Sequence, residues 1–265
     1  MSFNMRQREL LGLLEATGSQ SVMDLAQHFQ VSDETIRRDL RVLSQDGLVE
    51  KLHGRVRLGE PKVETPFDRR LKEMTEAKRA IAAATAEHIG NGATVMLDNS
   101  STSCFLARAL LTREHLTAIT FSIEVAQILA SSPHQHRVIV PGGELRAHDR
   151  TIIGPSAIEF ASQFTPDYFV FSVAAATASR GCLDFDLFEC ELKRAMMALA
   201  GKAILMVDSS KFAKSGLIQT CDWNAIDVLV SDHVPDDIGS AVADDCKVIV
   251  APFAPGTSKH IRAAE

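Results

Sequence analysis

The chain has 265 residues, of which 46% are hydrophobic and 23% are charged, and its formal net charge at pH 7 is −6. This composition is ordinary for a soluble globular protein, and the length suffices for a small domain and a large one. It excludes a protein with apolar membrane spans, since no run reaches the ~18 residues that a span needs, and the acidic balance argues against a protein that coats nucleic acid.

The cysteines and the first residues predict the compartment. Five cysteines, at positions 104, 182, 190, 221 and 246, are scattered along the chain without a C-x-x-C pair. They are typical of reduced thiols rather than of a disulfide framework or a zinc site. Residues 1–11 lack the apolar core and the cleavage site of a signal peptide, so we expect a cytoplasmic protein without metal or cofactor.

Residues 1–58 have the pattern of a winged helix-turn-helix domain. A first amphipathic helix is predicted over residues 6–16, Ser21 caps a second helix and Ser32 caps a third. Two short strands follow, at residues 48–52 and 55–58.

The third helix separates apolar from basic residues. Ile36, Leu40 and Leu43 repeat at helical spacing and are predicted to point inward. Residues 35–57 contain six Lys or Arg and three Asp or Glu, an excess of +3 that suits a small, site-specific DNA footprint. The helix residues that project outward are Thr35, Arg37, Arg38 and Arg41. The alternative is a solvated helix face on which the arginines interact with nearby side chains at the surface, for example Arg38 with Asp39.

The sequence around this helix resembles the signature of DeoR-type transcriptional repressors. Ser32 and the run from Thr35 to Leu40, with Val31, Leu43 and Gly47 around them, match that signature. The resemblance implies that the third helix binds operator DNA. The family usually has His-Gly-Gly-Ala in the wing, and this chain has His53, Gly54, Arg55 and Val56, so Arg55 is expected to add a backbone or minor-groove contact. The expected DNA-binding residues are Ser32, Thr35, Arg37, Arg38, Arg41, His53 and Arg55.

A linker and a larger α/β domain are predicted after the wing. Residues 59–66 contain two prolines, which is typical of a hinge. One long helix is predicted from Phe67 to about Ile89. Residues 59–89 are therefore expected to connect the two domains. In residues 90–251, short apolar runs alternate with helical stretches, which predicts a mostly parallel sheet. The tail, 252–265, is expected to be loosely ordered. The predicted strands are 94–97, 117–120, 137–140, 168–173, 203–207, 228–230 and 248–251.

Polar loops follow three of these strands, and ligands of parallel sheets bind at strand carboxyl ends. Residues 98–103 carry an acid, an amide and four hydroxyls at a helix start, which suits an anion but also simple N-capping. Residues 141–146 carry paired glycines, which suit either a close ligand or a plain turn. Residues 208–212 carry an acid, two hydroxyls and a lysine, which suit a polar ligand or a solvated turn.

These loops are similar to the effector domain of DeoR-type regulators, and together with the N-terminal module the resemblance extends to about Asp232. It implies a fold like that of ribose-5-phosphate isomerases and CoA transferases and a phosphorylated sugar as effector. The residues most like those of glycerol-3-phosphate regulators are 142–146, Asp149, 152–154 and 181–186. The phosphate loop departs from the family at Ser100 and Ser101, at Phe121 and at residues 176–178. The expected effector-binding residues are Asp98, Ser100, Ser101, Thr102, Gly142, Gly143, Arg146, Glu191, Asp208 and Lys211.

The sequence thus predicts a homodimeric or homotetrameric regulator that represses genes of carbohydrate or polyol catabolism and is released by a phosphorylated metabolite. Two alternatives remain. One is an isomerase-like enzyme that uses Asp208, Glu191, Lys193 and Lys211; it is disfavoured because Glu191 and Lys193, two positions apart on a helix, do not face each other. The other is a DNA-binding dimer whose altered effector site binds nothing.

Overall fold

The computed structural model describes residues 4–45, 49–52, 54–58, 64–251 and 253. It divides into two compact units, Met1–Glu64 and Thr65–Glu265, each with its own apolar core. His53, the helix stop at residues 46–47, residues 59–63 of the linker and nearly all of the tail lie outside the described residues. Within the described ranges, no helix is long and apolar enough to cross a lipid bilayer.

The first unit has the three helices and the two strands that the sequence predicts, and a further strand of two residues, which it does not predict, completes a small antiparallel sheet. Strand β3 lies between β1 and β2. The elements, in chain order, are α1 (Met5–Thr17), β1 (Gln20–Ser21), α2 (Val22–Phe29), α3 (Asp33–Gln45), β2 (Val49–Leu52) and β3 (Arg55–Leu58).

Side-chain caps fix where these helices begin. Asn4 and Gln7 form a capping box at α1, and Ser21 and Asp24 form another at α2. At α3, the hydroxyl of Ser32 accepts a hydrogen bond of 3.3 Å from the backbone N–H of Thr35. The predicted caps at Ser21 and Ser32 are therefore confirmed, because each one satisfies a backbone donor that a helix start leaves free.

The second unit is built on one parallel sheet of seven strands, all seven of which the sequence predicts. Their spatial order is β15-β14-β12-β9-β4-β5-β6. The strands are β4 (Thr94–Leu97), β5 (Thr117–Thr120), β6 (Arg137–Ile139), β9 (Tyr168–Phe171), β12 (Lys202–Val207), β14 (Val228–Ser231) and β15 (Lys247–Val250).

The order of the strands reverses between β4 and β9. From β4 the chain proceeds to β5 and β6 on one side, and from β9 it proceeds to β12, β14 and β15 on the other. Such a switch point opens a crevice at the carboxyl ends of the two central strands. The fold therefore places the candidate ligand site after Leu97 and after Phe171.

Helices cover both faces of this sheet, so that successive residues of a strand enter different cores. In β12, Leu205 packs in one core and Ile204 and Met206 pack in the other, and all three are fully buried. The core that holds Leu205 also contains residues of α8 (Pro155–Ala161), α9 (Leu187–Leu199) and α10 (Asp236–Ala241). The other contains residues of α5 (Thr75–Glu87), α6 (Ser101–Ala109) and α7 (Ile123–Ala130).

Short antiparallel strands, which the sequence does not predict, form two further sheets. They lie beside the loops of the candidate ligand site. One sheet is the hairpin of β7 (Glu144–Arg146) and β8 (Thr151–Ile153); the other consists of β10 (Ala175–Thr177), β11 (Gly181–Asp184) and β13 (Ile218–Cys221).

The single long helix predicted from Phe67 to about Ile89 is wrong. The chain forms α4 (Phe67–Arg70), leaves the helical conformation and restarts as α5, with Met74 in the left-handed region at φ 51°. The break is stabilised by the ammonium group of Lys78, which donates hydrogen bonds of 2.5 Å to the carbonyl of Arg70 and 2.9 Å to that of Glu73. These bonds satisfy carbonyl groups that the end of a helix leaves without an intrahelical partner.

Candidate DNA-binding surface and effector site

Helix α3 buries its apolar side and exposes its basic side. Ile36, Leu40 and Leu43 are all 0% exposed, as predicted, and each contributes about 1.5–3 kcal/mol through burial. The side chains of Arg37, Arg38 and Arg41 are exposed, whereas Thr35 is half-buried and shares a hydrogen bond of 2.9 Å with Ser32.

The carboxylate of Asp39 does not neutralise the arginines beside it. Its two oxygens accept hydrogen bonds from Arg6 Nε at 2.6 Å and from Gln7 Nε2 at 2.9 Å, so that it fastens α3 to α1. Within the described part of the chain, Arg37, Arg38 and Arg41 have neither a hydrogen bond nor an ion pair. Three guanidinium groups on one helix can therefore bind phosphates or guanine edges.

Arg55 has a contact within the unit that the sequence did not indicate. Its Nε donates a hydrogen bond of 3.0 Å to the hydroxyl of Ser19, and Nη2 donates one of 2.5 Å to the carbonyl of Ser19. These bonds join the wing to the segment before α2. Arg55 thus positions the wing through its own contacts, independently of any contact with DNA.

Asp98 organises the switch point. One of its carboxylate oxygens accepts hydrogen bonds from the backbone N–H of Ser100 at 3.0 Å and from the hydroxyl of Ser103 at 2.5 Å. The other accepts a bond of 2.8 Å from the backbone N–H of Ser172. Asp98 therefore ties the loop after β4 to the loop after β9.

The hydroxyl-rich loop is also a helix cap. Ser100 accepts a hydrogen bond of 3.0 Å from the backbone N–H of Ser103 and so begins α6, while Ser101 and Thr102 lie buried in its first turn. The capping interpretation of this loop is therefore confirmed, and the anion-binding interpretation stays a prediction, for which the position of the α6 N-terminus at the switch point is suitable.

Two lysines bring positive charge to the start of α6. Lys78 Nζ donates a hydrogen bond of 3.1 Å to the hydroxyl of Ser101. Burial lowers the pKa of Lys78 to about 8; Asp208 opposes this change, and the positive charges of Lys211 and Arg70 add to it. Lys211 is itself buried, in the turn Ser209–Lys211, which Asp208 caps.

Arg146 is already surrounded by carboxylates. It donates hydrogen bonds to Asp149 (Nε to Oδ1, 3.0 Å), to Asp186 (Nη1 to Oδ2, 3.0 Å) and to Glu189. Burial acts to lower the pKa of Arg146, but these partners outweigh it and raise the pKa. Asn99 Nδ2 contacts the same cluster, at 3.3 Å from Asp149 and 3.2 Å from Glu189. Arg146 therefore holds the hairpin against α9 rather than presenting a free cation.

The paired glycines of the hairpin differ in their surroundings. A Cβ atom on Gly143 would lie 2.7 Å from the carbonyl oxygen of Ile153, whereas one on Gly142 would meet nothing within 4 Å. The close approach at Gly143 is therefore to the neighbouring strand of its own hairpin.

Glu191 is not brought together with the other predicted residues. It is exposed, while Glu189 and Lys193, on another face of α9, are buried. Lys193 Nζ donates a hydrogen bond of 2.9 Å to Asp184, and the negative charge of Asp184 outweighs burial and raises the pKa of Lys193. Helical spacing could have shown this, since Glu189 and Lys193 are four residues apart and Glu191 is two from each.

The departures from the family pattern serve packing. Phe121 is 1% exposed in the core that holds Leu205, and Ala176 is buried in the same core. The carbonyl of Thr177 accepts a hydrogen bond of 3.1 Å from the indole of Trp223. The residues of the site that were not among those expected are Lys78, Asn99, Asp149, Ser172, Asp184, Asp186, Glu189 and Lys193.

Both units match known family models. Residues 6–62 match the DeoR-like helix-turn-helix domain, and residues 73–233 match the DeoR C terminal sensor domain. The HTH-type transcriptional repressor CsqR of Escherichia coli (strain K12) is 38% identical over 232 residues, 88% of each chain. The glycerol-3-phosphate regulon repressor of the same strain is 34% identical over 235 residues, 89% of this chain and 93% of the relative.

Solved structures resemble part of the chain. Ribose 5 phosphate isomerase A from Neisseria gonorrhoeae aligns with 52% of this chain and 53% of its own, at 13% identity and a TM-score of 0.36. The eIF2B beta structure from Chaetomium thermophilum aligns with 61% of this chain and 50% of its own, at 15% identity and a TM-score of 0.45.

Proposed function

Because the chain belongs to the DeoR family of transcriptional regulators, we propose that it binds operator DNA through α3 and represses genes of carbohydrate or polyol catabolism until a phosphorylated metabolite releases it. One observation carries the DNA-binding half of this proposal. The carboxylate of Asp39 is bound by Arg6 and Gln7, which leaves three arginines of α3 exposed.

On the DNA side, Arg37, Arg38 and Arg41 bind phosphates or guanine edges, and the hydroxyls of Ser32 and Thr35 suit phosphate oxygens. The expected contact of His53 remains part of the proposal, although that residue lies outside the described ones. Arg55 supports the wing through Ser19. Two copies of the chain in a symmetric dimer or tetramer present two α3 helices to a repeated operator.

On the effector side, the phosphate binds at the start of α6. The backbone N–H groups of that helix, the hydroxyls of Ser100–Ser103 and the ammonium groups of Lys78 and Lys211 supply donors and positive charge in one place. The carboxylates around Arg146 are suited to accept hydrogen bonds from the hydroxyl groups of a sugar or polyol. Asp98 supports this site through the hydrogen bonds that hold its loops, and Glu189 replaces Glu191 in the proposed set.

The proposal assigns residues 1–58 to DNA binding, 59–89 to the connection, 90–251 to the effector and 252–265 to a tail. It includes no catalysis. Lys193 is bound to Asp184 and Glu191 is exposed, so the acid–base pair that an isomerase reading requires is not assembled.

The test is a titration of operator DNA, selected by binding from genomic fragments, in the presence of glycerol 3-phosphate, ribose 5-phosphate, fructose 6-phosphate or inorganic phosphate. We expect at least one of the three organic phosphates to weaken operator binding and to raise the melting temperature, while the corresponding unphosphorylated polyol or sugar does neither. If no phosphate ester changes either quantity, the ligand-free alternative replaces this proposal. Turnover of ribose 5-phosphate in the same samples would overturn the assignment as a regulator without catalysis.

A further inference from the structure

Arg6 lies before the two helices of the helix-turn-helix motif, α2 and α3, yet its side chain reaches the recognition helix. It is in the first turn of α1, and its Nε donates a hydrogen bond of 2.6 Å to Asp39 Oδ2. Asp39 is 4% exposed and follows Arg38 directly in the chain. The guanidinium group of Arg6 is therefore held beside the helix that carries the exposed arginines.

The contact with Asp39 fixes the orientation of this guanidinium group. The second oxygen of Asp39 accepts a hydrogen bond of 2.9 Å from Gln7, so the carboxylate is held at both oxygens. Because a guanidinium group is planar, a held Nε–H bond restricts the directions of the N–H groups on Nη1 and Nη2.

The terminal nitrogens of Arg6 remain available. Across the residues that the structure describes, neither Nη1 nor Nη2 of Arg6 has a hydrogen-bond partner, and the side chain is 34% exposed. If Arg6 served only to hold α1 to α3, a shorter neutral donor would suffice. An arginine adds a fork of N–H groups and a positive charge, which match a phosphodiester.

We propose that Arg6 is a further DNA-phosphate ligand, which the buried carboxylate of Asp39 orients so that α1 and α3 contact the DNA backbone together. This inference rests on the proposed operator binding and adds α1 to the footprint. In chemical terms, Nη1 and Nη2 donate hydrogen bonds to the oxygens of one phosphodiester while Nε stays bound to Asp39.

The decisive variant is Arg6→Gln. The Nε2 atom of glutamine corresponds in position along the side chain to Nε of arginine, so the variant keeps a donor for Asp39 and loses the fork and the charge. We expect an unchanged melting temperature, a loss of operator affinity of about tenfold, and a slope of log K against log salt that is shallower by about 0.9 per contacting protomer. Arg79→Ala is the matched control, because it removes one exposed, ion-paired arginine from α5 and should leave affinity and slope unchanged.

Three outcomes would overturn the inference: an unchanged affinity in Arg6→Gln, a reduced affinity with the wild-type salt slope, or an equal change in Arg79→Ala. If Arg6→Gln lowers the melting temperature, Arg6→Lys provides the second measurement. Lysine keeps the positive charge but lacks the oriented fork of N–H groups. A lower operator affinity with the wild-type salt slope would support the phosphate contact, and an unchanged affinity would contradict it. Failure of the proposed function looks different, because the wild-type protein then binds no operator. If the wild type binds and Arg38→Ala weakens binding while Arg6→Gln does not, only the inference about Arg6 fails.

Discussion

The ammonium group of Lys78 donates a hydrogen bond of 3.1 Å to the hydroxyl of Ser101 and thereby joins α5 to the first turn of α6. Lys78 comes soon after the segment that connects the two units in sequence, and Ser101 lies at the switch point of the sheet. This bond is a direct contact between the start of α6 and the helix that lies between the linker and the sheet.

Lys78→Met should blunt release by the effector, which is measured as a smaller difference between the operator affinities with and without effector. Methionine has an apolar side chain of similar length, so the substitution preserves packing and removes the positive charge at the start of α6. Operator binding with and without the active phosphate ester from the panel measures both quantities. Lys72→Met is the control, because Lys72 is exposed. Wild-type release in Lys78→Met would remove this lysine from the effector site.

The lowered pKa of Lys78 predicts a pH dependence of stability. In the folded state burial lowers the pKa of Lys78 to about 8 from its ordinary value of 10.5. Between these two pH values the unfolded chain binds more protons at this position than the folded one, so the contribution of Lys78 to stability rises with pH across that window and is least below pH 8. Urea unfolding from pH 7 to 10 should show this rise in the wild type relative to Lys78→Met, and parallel pH profiles of the two proteins would contradict it.

The same titration should weaken the binding of a phosphate ester. Above pH 7 the phosphate is already a dianion, since its second pKa is about 6. Deprotonation of Lys78 as the pH rises through about 8 then removes one positive charge from the site. The dissociation constant is expected to increase by up to about tenfold per pH unit above that value. Calorimetry at pH 7, 8 and 9 measures it, with Lys78→Met as the variant that should lack the change.

Arg38→Ala and Arg55→Ala should separate DNA contact from wing support. Arg38 has an exposed side chain, so its removal is expected to cost about 1–3 kcal/mol of operator binding without a change in melting temperature. Arg55 donates two hydrogen bonds to Ser19, so its removal is expected to lower the free energy of unfolding by about 1 kcal/mol. Operator titration and thermal unfolding of both variants measure this division. Equal losses of stability in the two variants would contradict it.

Gly143→Ala and Gly142→Ala form a matched pair in the hairpin. A Cβ atom on Gly143 would lie 2.7 Å from the carbonyl oxygen of Ile153 and 2.9 Å from Ile152 Cγ2, so the variant should lose about 1–3 kcal/mol of stability. Gly142→Ala should be nearly neutral. If Gly142→Ala instead abolishes the effector response, the glycines serve close approach of a ligand, as the sequence first suggested.

Glu189→Gln and Glu191→Gln test which acid of α9 belongs to the site. Glu189 is buried and bound to Arg146, so loss of its charge should destabilise the hairpin contact and reduce effector affinity. Glu191 is exposed, and its substitution should change stability by less than about 0.5 kcal/mol. The reverse order of effects would restore Glu191 to the site.

The sequence predicts the main sheet well, because strands buried on both faces are continuous apolar runs. Ile204 and Leu205, for example, are consecutive apolar residues, and this run can be recognised without knowing which distant residues they contact. The strands β7 and β8 have three residues each, which is too short for a periodicity to show, and β7 also includes the charged residues Glu144 and Arg146.

Side-chain contacts that local propensity does not show account for the remaining errors. The bond between Arg55 and Ser19 joins positions 36 residues apart, and the break at Met74 depends on where the side chain of Lys78 points. Neither is present in local propensity, which favours a helix through residues 67–89. Asp98 was identified from the sequence, but its role in holding the two loops together follows only from its bond to Ser172.

An ammonium group has three N–H donors, and in Lys78 they are shared among the carbonyls of Arg70 and Glu73 and the hydroxyl of Ser101. A phosphate oxygen can bind to Lys78 only by displacing one of these acceptors. In the proposed site, the ligand therefore competes with the carbonyl groups at the break between α4 and α5 for the same three N–H groups of Lys78. Under the proposed function, the signal that leaves this site is a partner exchange at one nitrogen atom.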